Sequence, residues 1–270
     1  MLRAEVEQIF NRKKELYMKF CSSSPNPVCI LLGGQPASGK SYLTAIAEKS
    51  RNIKFLKVNG DDFRVYHPDH EKLIKNEKTY SEETQLFSDV FTEGFINEAC
   101  NNKFNVIVEG TMRNPDTSRN TANKFKDAGF FVHACVIAAP AIVTELGIYE
   151  RYLHECYSKG YGRLADVKIH NYAVEGLLNT VDMLYDNRIA DKISIYSYLA
   201  KEEIKNYTLD GKIWNSRVKP ANVIIASRNE QLNDKEFLYS CIERGEKLMQ
   251  NISENLRPHV QKILSALTSL

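Results

Sequence analysis

The chain has no apolar run approaching 18 residues, and its opening stretch, MLRAEVEQIFNRKKELYMKF, has no apolar signal core. Neither a membrane span nor a secretory signal is expected, which points to a cytoplasmic protein with no membrane partner. Charge of one sign is also scarce: 36 Lys and Arg against 34 Asp and Glu leave a net charge of +2, without a long single-sign block. That balance argues against nucleic acid as a partner. The six cysteines (Cys21, Cys29, Cys100, Cys135, Cys156 and Cys241) contain no CxxC pair and no regular spacing. They read as reduced, packed thiols rather than a disulfide framework or a zinc site. His67, His70 and His154 likewise lack a full ligand set at metal-binding spacing. No internal repeat and no low-complexity linker divides the chain.

What is there is ordinary globular material: 270 residues, 43% hydrophobic and 26% charged, enough to bury a sizeable core. Apolar residues at three- and four-residue steps from Leu2 to Phe20 predict an amphipathic helix, ended by CSSSPNP. Strands are then expected at 28–32 (VCILL), 53–59 (IKFLKVN), 104–110 (FNVIVEG), 130–139 (FFVHACVIAA) and 192–198 (KISIYSY). Helical patterns fall between them, at 41–50, about 70–101, 117–129, 141–156 and 167–184, with Ser81 to Thr84 as an N-terminal cap. Alternating strands and helices imply an α/β fold, a mostly parallel sheet covered on both faces. Residues 204–227 read as a β-rich appendage with the turn LDGK and Trp214. From Glu230 a helical period runs to the end, split by Pro258. The economical division is an N-terminal helix (1–27), a core (28–200) and an appendage with C-terminal helices (201–270).

Chemistry begins at residues 34–41. Gly34, Gln35, Pro36, Ala37, Ser38, Gly39, Lys40 and Ser41 fit G-x-x-x-x-G-K-[ST] in full, between a predicted strand and a predicted helix. Glycines let the backbone wrap an anion with its amides pointing inward, and the helix start adds a positive end. Lys40 is expected at the β- and γ-phosphates and the Ser41 hydroxyl on Mg²⁺.

In parallel α/β sheets ligands bind beyond the carboxyl ends of the strands. The second strand delivers Asp61 and Asp62 there, and the third delivers Glu109, followed by Thr111 and Arg113. For phosphoryl transfer, a carboxylate near the γ-phosphate accepts the proton of an attacking hydroxyl or holds Mg²⁺. Asp61 is the candidate for that role, with Glu109 suited to substrate hydroxyls or to assisting the metal. Arg151, in GIYERYLHE, and Arg163, in the glycine-flanked loop KGYGRLAD, are candidate cations for the charge-spread transition state.

Four stretches in one order carry a resemblance to the zeta toxin family of P-loop kinases: GGQPASGKS, NGDDFRVYHPD, VIVEGTMRNPDTSRNTANKFKDAGF and VIAAPAIVTELGIYERY. The resemblance implies transfer of the γ-phosphate of ATP or GTP to the 3′-hydroxyl of the sugar in UDP-N-acetylglucosamine, a toxic reaction. It implies Lys40 and Ser41 at the triphosphate and Mg²⁺, with Asp61 as base. Glu93, Glu109, Thr111, Arg113 and Thr121 would line the nucleotide-sugar pocket, and Arg151 and Arg163 would meet the transferring phosphate. Family members often pair with a small helical antitoxin. One departure is Ala37, where family loops commonly carry glycine, read as a mild change. The alternatives are a zeta-like kinase of another hydroxyl acceptor, such as a dinucleotide or nucleoside, and a regulatory NTPase. Against the latter stands the lack of an N-K-x-D base-reading motif.

Overall fold

Residue 28 opens the central strand, and alternation explains its place. Cys29 and Leu31 point into one hydrophobic layer, while Ile30 and Leu32 point into another. Strand β1 (Val28–Gly33) is thus buried on both faces, as a strand inside a helix-covered parallel sheet must be. The computed structural model describes residues 1–51 and 54–270. Its sheet has seven strands in the order β2-β3-β1-β4-β5-β6-β7. Here β2 is Leu56–Asn59, β3 Val106–Glu109, β4 Phe131–Ala138, β5 Lys192–Ser197, β6 Glu203–Asp210 and β7 Ile213–Trp214. The first five strands are parallel; β6 runs antiparallel to β5, and β7 antiparallel to β6.

The helices are α1 (Arg3–Met18), α2 (Lys40–Arg51), α3 (His70–Leu73), α4 (Glu77–Glu83), α5 (Gln85–Asn102), α6 (Pro115–Asp127), α7 (Ala141–Lys159), α8 (Val167–Asp186), α9 (Pro220–Asn233), α10 (Lys235–Asn251) and α11 (Arg257–Thr268). One apolar layer gathers Phe10 of α1, Phe91 and Phe95 of α5, Phe125 of α6, Leu177 of α8 and Ile224 of α9. The other gathers Leu43 of α2, Leu146 of α7, Cys241 of α10 and Ile263 of α11. A mostly parallel sheet with helices on both faces and a helical C-terminus is therefore what the chain forms.

Three local expectations need correction. The predicted strand at 53–59 keeps only Leu56–Asn59, and residue 53 lies outside the described residues. Ser81 is not a cap: it sits inside α4, and its carbonyl is instead taken by Arg64. The span 204–227 is not β-rich throughout, because Pro220 starts α9; proline suits a first helical turn, where its missing N–H costs nothing. The expected split at Pro258 is present: α10 ends at Asn251, and Pro258 lies in the first turn of α11.

Candidate active site

Between β1 and α2 the chain makes a tight loop in which Ser38 N–H donates to the Gln35 carbonyl at 3.2 Å. Two glycines are required by space. A Cβ on Gly34 would lie 2.5 Å from Ser38 Oγ, and one on Gly39, whose φ is +100°, would lie 2.7 Å from the Leu199 Cα. Leu199 N–H in turn donates to the Ser38 carbonyl at 3.2 Å, so the end of β5 braces the loop. Gln35 is fixed from behind: its Nε2 donates to the Ala139 carbonyl at 2.8 Å and to Thr144 Oγ1 at 3.3 Å. Gln35 Oε1 and Ser38 Oγ are buried without a partner.

Lys40 folds back over this loop, its Nζ 2.9 Å from the Gly34 carbonyl and 3.1 Å from that of Gln35. Burial pulls its ammonium below the usual lysine value. Glu109 and Asp61 raise it and Arg151 lowers it, so all three charges act at Lys40 Nζ.

Strand register brings the acids in. Glu109 pairs with Leu32 on one side and Asn59 on the other, and ends β3 beside the loop. Burial pushes its carboxyl above the usual range; Lys40 opposes the shift, and Asp62 and Asp61 add to it. After β2 the chain enters a 3-10 turn over Gly60–Tyr66, capped by Asn59 Oδ1 accepting from Asp61 N–H at 3.2 Å. Phe63 anchors the turn among Tyr17, Phe91 and Phe95. With Phe63 inward, Asp61 and Asp62 face outward.

The Asp61 carboxylate is shared by two arginines. Arg64 Nε donates to Oδ1 at 2.9 Å, and Arg163 Nη1 meets Oδ2 at 2.8 Å. Burial alone would raise this carboxyl, but Arg163 and Arg64 outweigh it and hold it below the usual range. Asp62, with burial and Asp61 both disfavouring its charge, is raised.

The remaining predicted residues are placed as follows. Arg151 is exposed on α7, and its charge acts on Lys40 and Glu109. Ser41 is exposed in the first turn of α2. Thr111 and Arg113 follow β3 on a segment pinned by α8: Thr180 Oγ1 donates to the Met112 carbonyl at 2.6 Å, and Gly176 leaves room for the Arg113 carbonyl. The Arg113 side chain is exposed, and Thr111 and Thr121 are half-buried. Glu93 is exposed on α5 and pairs with Arg3 of α1. Arg64 is the residue that sequence reading passed over. Its signal was present in D-D-F-R, where a buried phenylalanine carries the next residue inward with it.

The loop suits a triphosphate on its own geometry: inward glycine backbone, two orphaned buried polar atoms, a lysine resting on loop carbonyls and the N-terminus of α2. Ser41, with the carboxylates of Asp61 and Glu109 on neighbouring strand ends, is a donor set of the hard-oxygen kind that Mg²⁺ takes.

The zeta toxin family model matches residues 12–227. The chain belongs to the zeta toxin family. Toxin zeta of Enterococcus hirae is 27% identical over 248 residues, covering 91% of this chain and 84% of that relative. Toxin PezT of Streptococcus pneumoniae serotype 4 is 29% identical over 177 residues, covering 64% of this chain and 70% of the relative. Among solved structures, one from the PezAT chromosomal toxin–antitoxin system of the human pathogen Streptococcus pneumoniae superposes with a TM-score of 0.77 at 23% identity, covering 92% of this chain and 98% of the other. The AvrRxo1-ORF1:AvrRxo1-ORF2 complex with ATP matches with a TM-score of 0.53 at 15% identity, covering 99% of this chain and 82% of the other. These likenesses show the fold of zeta toxins, a family of kinases, and the P-loop–Asp61–Glu109 cluster lies within the matched span.

Proposed function

We propose that this chain is a kinase that moves the γ-phosphate of ATP or GTP to a sugar hydroxyl of a nucleotide sugar, with the 3′-hydroxyl of UDP-N-acetylglucosamine as the leading acceptor. The observation that carries the reading is Asp61, a half-exposed carboxylate whose charge acts at Lys40. A transferase needs such a carboxylate to take the acceptor's proton, and against a regulatory NTPase stands the lack of an N-K-x-D base-reading motif.

In the step proposed, an acceptor hydroxyl gives its proton to Asp61 and its oxygen bonds to the γ-phosphorus. The bond from that phosphorus to the β–γ bridging oxygen breaks, and the nucleoside diphosphate leaves with the electron pair. Lys40 holds the β- and γ-phosphates, and Arg151 and Arg163 supply positive charge to the spreading transition state. Glu109, Thr111, Arg113, Thr121 and Glu93 are assigned to the acceptor. Mg²⁺, held through Ser41, would neutralise phosphate charge. As in its relatives, the activity is read as toxic, acting in the cytoplasm and restrained by a protein antitoxin.

The test is incubation with Mg-ATP or Mg-GTP and UDP-N-acetylglucosamine, followed by mass analysis for one added phosphate. Asp61→Ala should slow transfer by roughly 10²–10⁴-fold. Triphosphate consumed by water alone, with no phosphorylated acceptor in a panel of nucleotide sugars, nucleosides and dinucleotides, would refute the assignment.

A further inference from the structure

The two arginines on Asp61 are held in very different ways. Arg64 is 6% exposed, and every nitrogen of its guanidinium has a partner. Besides Nε on Asp61 Oδ1, Nη1 donates to the Ser81 carbonyl at 2.7 Å and to Thr84 Oγ1 at 3.0 Å, and Nη2 to Gln85 Oε1 at 3.0 Å. These anchors lie on α4, the α4–α5 junction and α5. A planar fork bound at all its nitrogens has one orientation only, and leaving Asp61 would strand a charge in the interior.

Arg163 belongs to the connection between α7 and α8, which contains Gly160 and Gly162. Its backbone N–H donates to Glu155 Oε2 at 2.9 Å, which tethers the segment to α7. Its side chain is 30% exposed and reaches one acceptor, Asp61 Oδ2, at 2.8 Å. Among the described residues no second acceptor holds that guanidinium, so a stronger anion can take it.

Chemistry then demands a choice. A carboxylate paired with two arginines is a poor proton acceptor, because both cations favour its charged form, although each oxygen keeps a lone pair for another donor. Releasing one arginine restores basicity as the acceptor hydroxyl arrives. The asymmetry of the two clamps says which one.

We infer that Arg64 is a positioning residue fixing Asp61 through Oδ1, whereas Arg163 is a placeholder on Oδ2 that leaves for the γ-phosphoryl group when the triphosphate is bound. The inference rests on the kinase reading for what Asp61 does, but not for how Asp61 is held. Binding of the triphosphate supplies the anion that draws Arg163 away, and the acceptor hydroxyl takes the vacated Oδ2. The base is thereby freed only when the cation it releases is needed at the transferring phosphate.

Two measurements test this. The first is a double-mutant cycle on the rate of phosphate transfer, with Arg64→Met and Asp61→Asn separately and together. Arg64→Met should lower kcat on the order of 10²-fold, the scale for a misplaced reacting group. In the Asp61→Asn background it should cost less than about threefold, since the group it acts through is already disabled. Equal losses in both backgrounds would show Arg64 to be only a structural tie, and the inference would fall. Arg64→Lys, which keeps the charge but not the fork, serves if Arg64→Met does not fold; the same comparison applies.

The second measurement needs no activity. Trypsin cleaves after Arg163, so the rate of that cut reports whether the segment is tied to Asp61. Without nucleotide, Asp61→Asn should be cut several-fold faster than the native chain. Adding a non-hydrolysable Mg–triphosphate analogue to Asp61→Asn should restore protection as Arg163 finds the phosphates. Identical cutting of the two proteins, or no protection by the analogue, overturns the placeholder role. If the native protein phosphorylates no acceptor, the kinase reading fails while this proteolysis result still decides how Asp61 is held.

Discussion

The methyl group of Ala37 faces Gly147, where an added Cβ would stand 2.9 Å from it. Ala37 has a φ of +61°, a left-handed conformation that an L-residue adopts at a cost of about 1 kcal/mol. The alanine is therefore not the mild replacement its size suggests. It is strained, and it keeps its place because α7 offers a glycine opposite it. Gly147→Ala should push the phosphate loop out of shape and weaken Mg–triphosphate binding at least tenfold. Ala37→Gly should raise stability by about 1 kcal/mol in urea denaturation and restore binding to the Gly147→Ala variant. Failure of that rescue would mean Gly147 matters for another reason.

Lys40 Nζ rests on two carbonyls of its own loop. Two such bonds from a charged donor are worth about 1.5–3 kcal/mol each at most, and the cost of burying the ammonium offsets part of that. Its replacement should therefore separate function from folding. Lys40→Met is expected to lose 10²-fold or more in phosphate transfer, the scale of one removed transition-state donor, with only a small change in the denaturation midpoint. A variant that transferred at the native rate would remove Lys40 from the phosphates.

Strands β1, β4 and β5 were legible because each is a short apolar run that is mostly buried, and an unbroken run survives without knowledge of neighbours. The phosphate loop was legible because its chemistry is local: glycines, lysine and serine lie within eight residues. Asp61 and Glu109 could be placed by the rule that strand ends face the ligand. Partnerships between distant segments were not legible. Nothing near Arg64 announces that Ser81, Thr84 and Gln85 will surround it, and nothing near Glu93 that Arg3 will reach it. The antiparallel β6, beside the short edge strand β7, was read as an appendage because most of its residues are exposed and it lacks the apolar run that marks the interior.

Glu109 is held above the usual carboxyl range chiefly by burial. A raised acid is stabilising in its protonated form, so its contribution is present below the unfolded value of about 4.3 and is lost as pH rises through the folded value. Glu109→Gln removes the charge that causes the loss. The variant should gain stability over the native chain as pH climbs from about 4 to 7, while its affinity for the acceptor falls. Urea titrations at stepped pH check the first part. A difference that shrank with rising pH would reverse the sign and contradict the buried-carboxylate account.

His170 offers a second pH test, of opposite sign. It is fully buried in the first turn of α8, with Nε2 2.8 Å from Thr144 Oγ1 and Nδ1 2.9 Å from Asn171 Oδ1. Asn171 Oδ1 only accepts, so Nδ1 carries the proton; Nε2 of the neutral ring is then an acceptor that competes with the Ala141 carbonyl, 2.9 Å away, for the Thr144 hydroxyl proton. Thr144 Oγ1 in turn accepts from Gln35 Nε2 of the phosphate loop, which makes a neutral imidazole the end of a chain leading to the nucleotide site. Burial lowers its pKa below the ordinary histidine value, with the Asn171 bond and Glu145 opposing and Arg228 adding. The unfolded chain therefore binds the proton more readily. Stability is complete above about pH 6.5 and declines as pH falls below it. A charged imidazole would also have to donate from Nε2, leaving the Thr144 hydroxyl proton to the Ala141 carbonyl. His170→Gln, which cannot take a proton there, should flatten the fall in stability between about pH 7 and 5. If native protein and variant lose stability in parallel over that range, His170 is not the group that titrates.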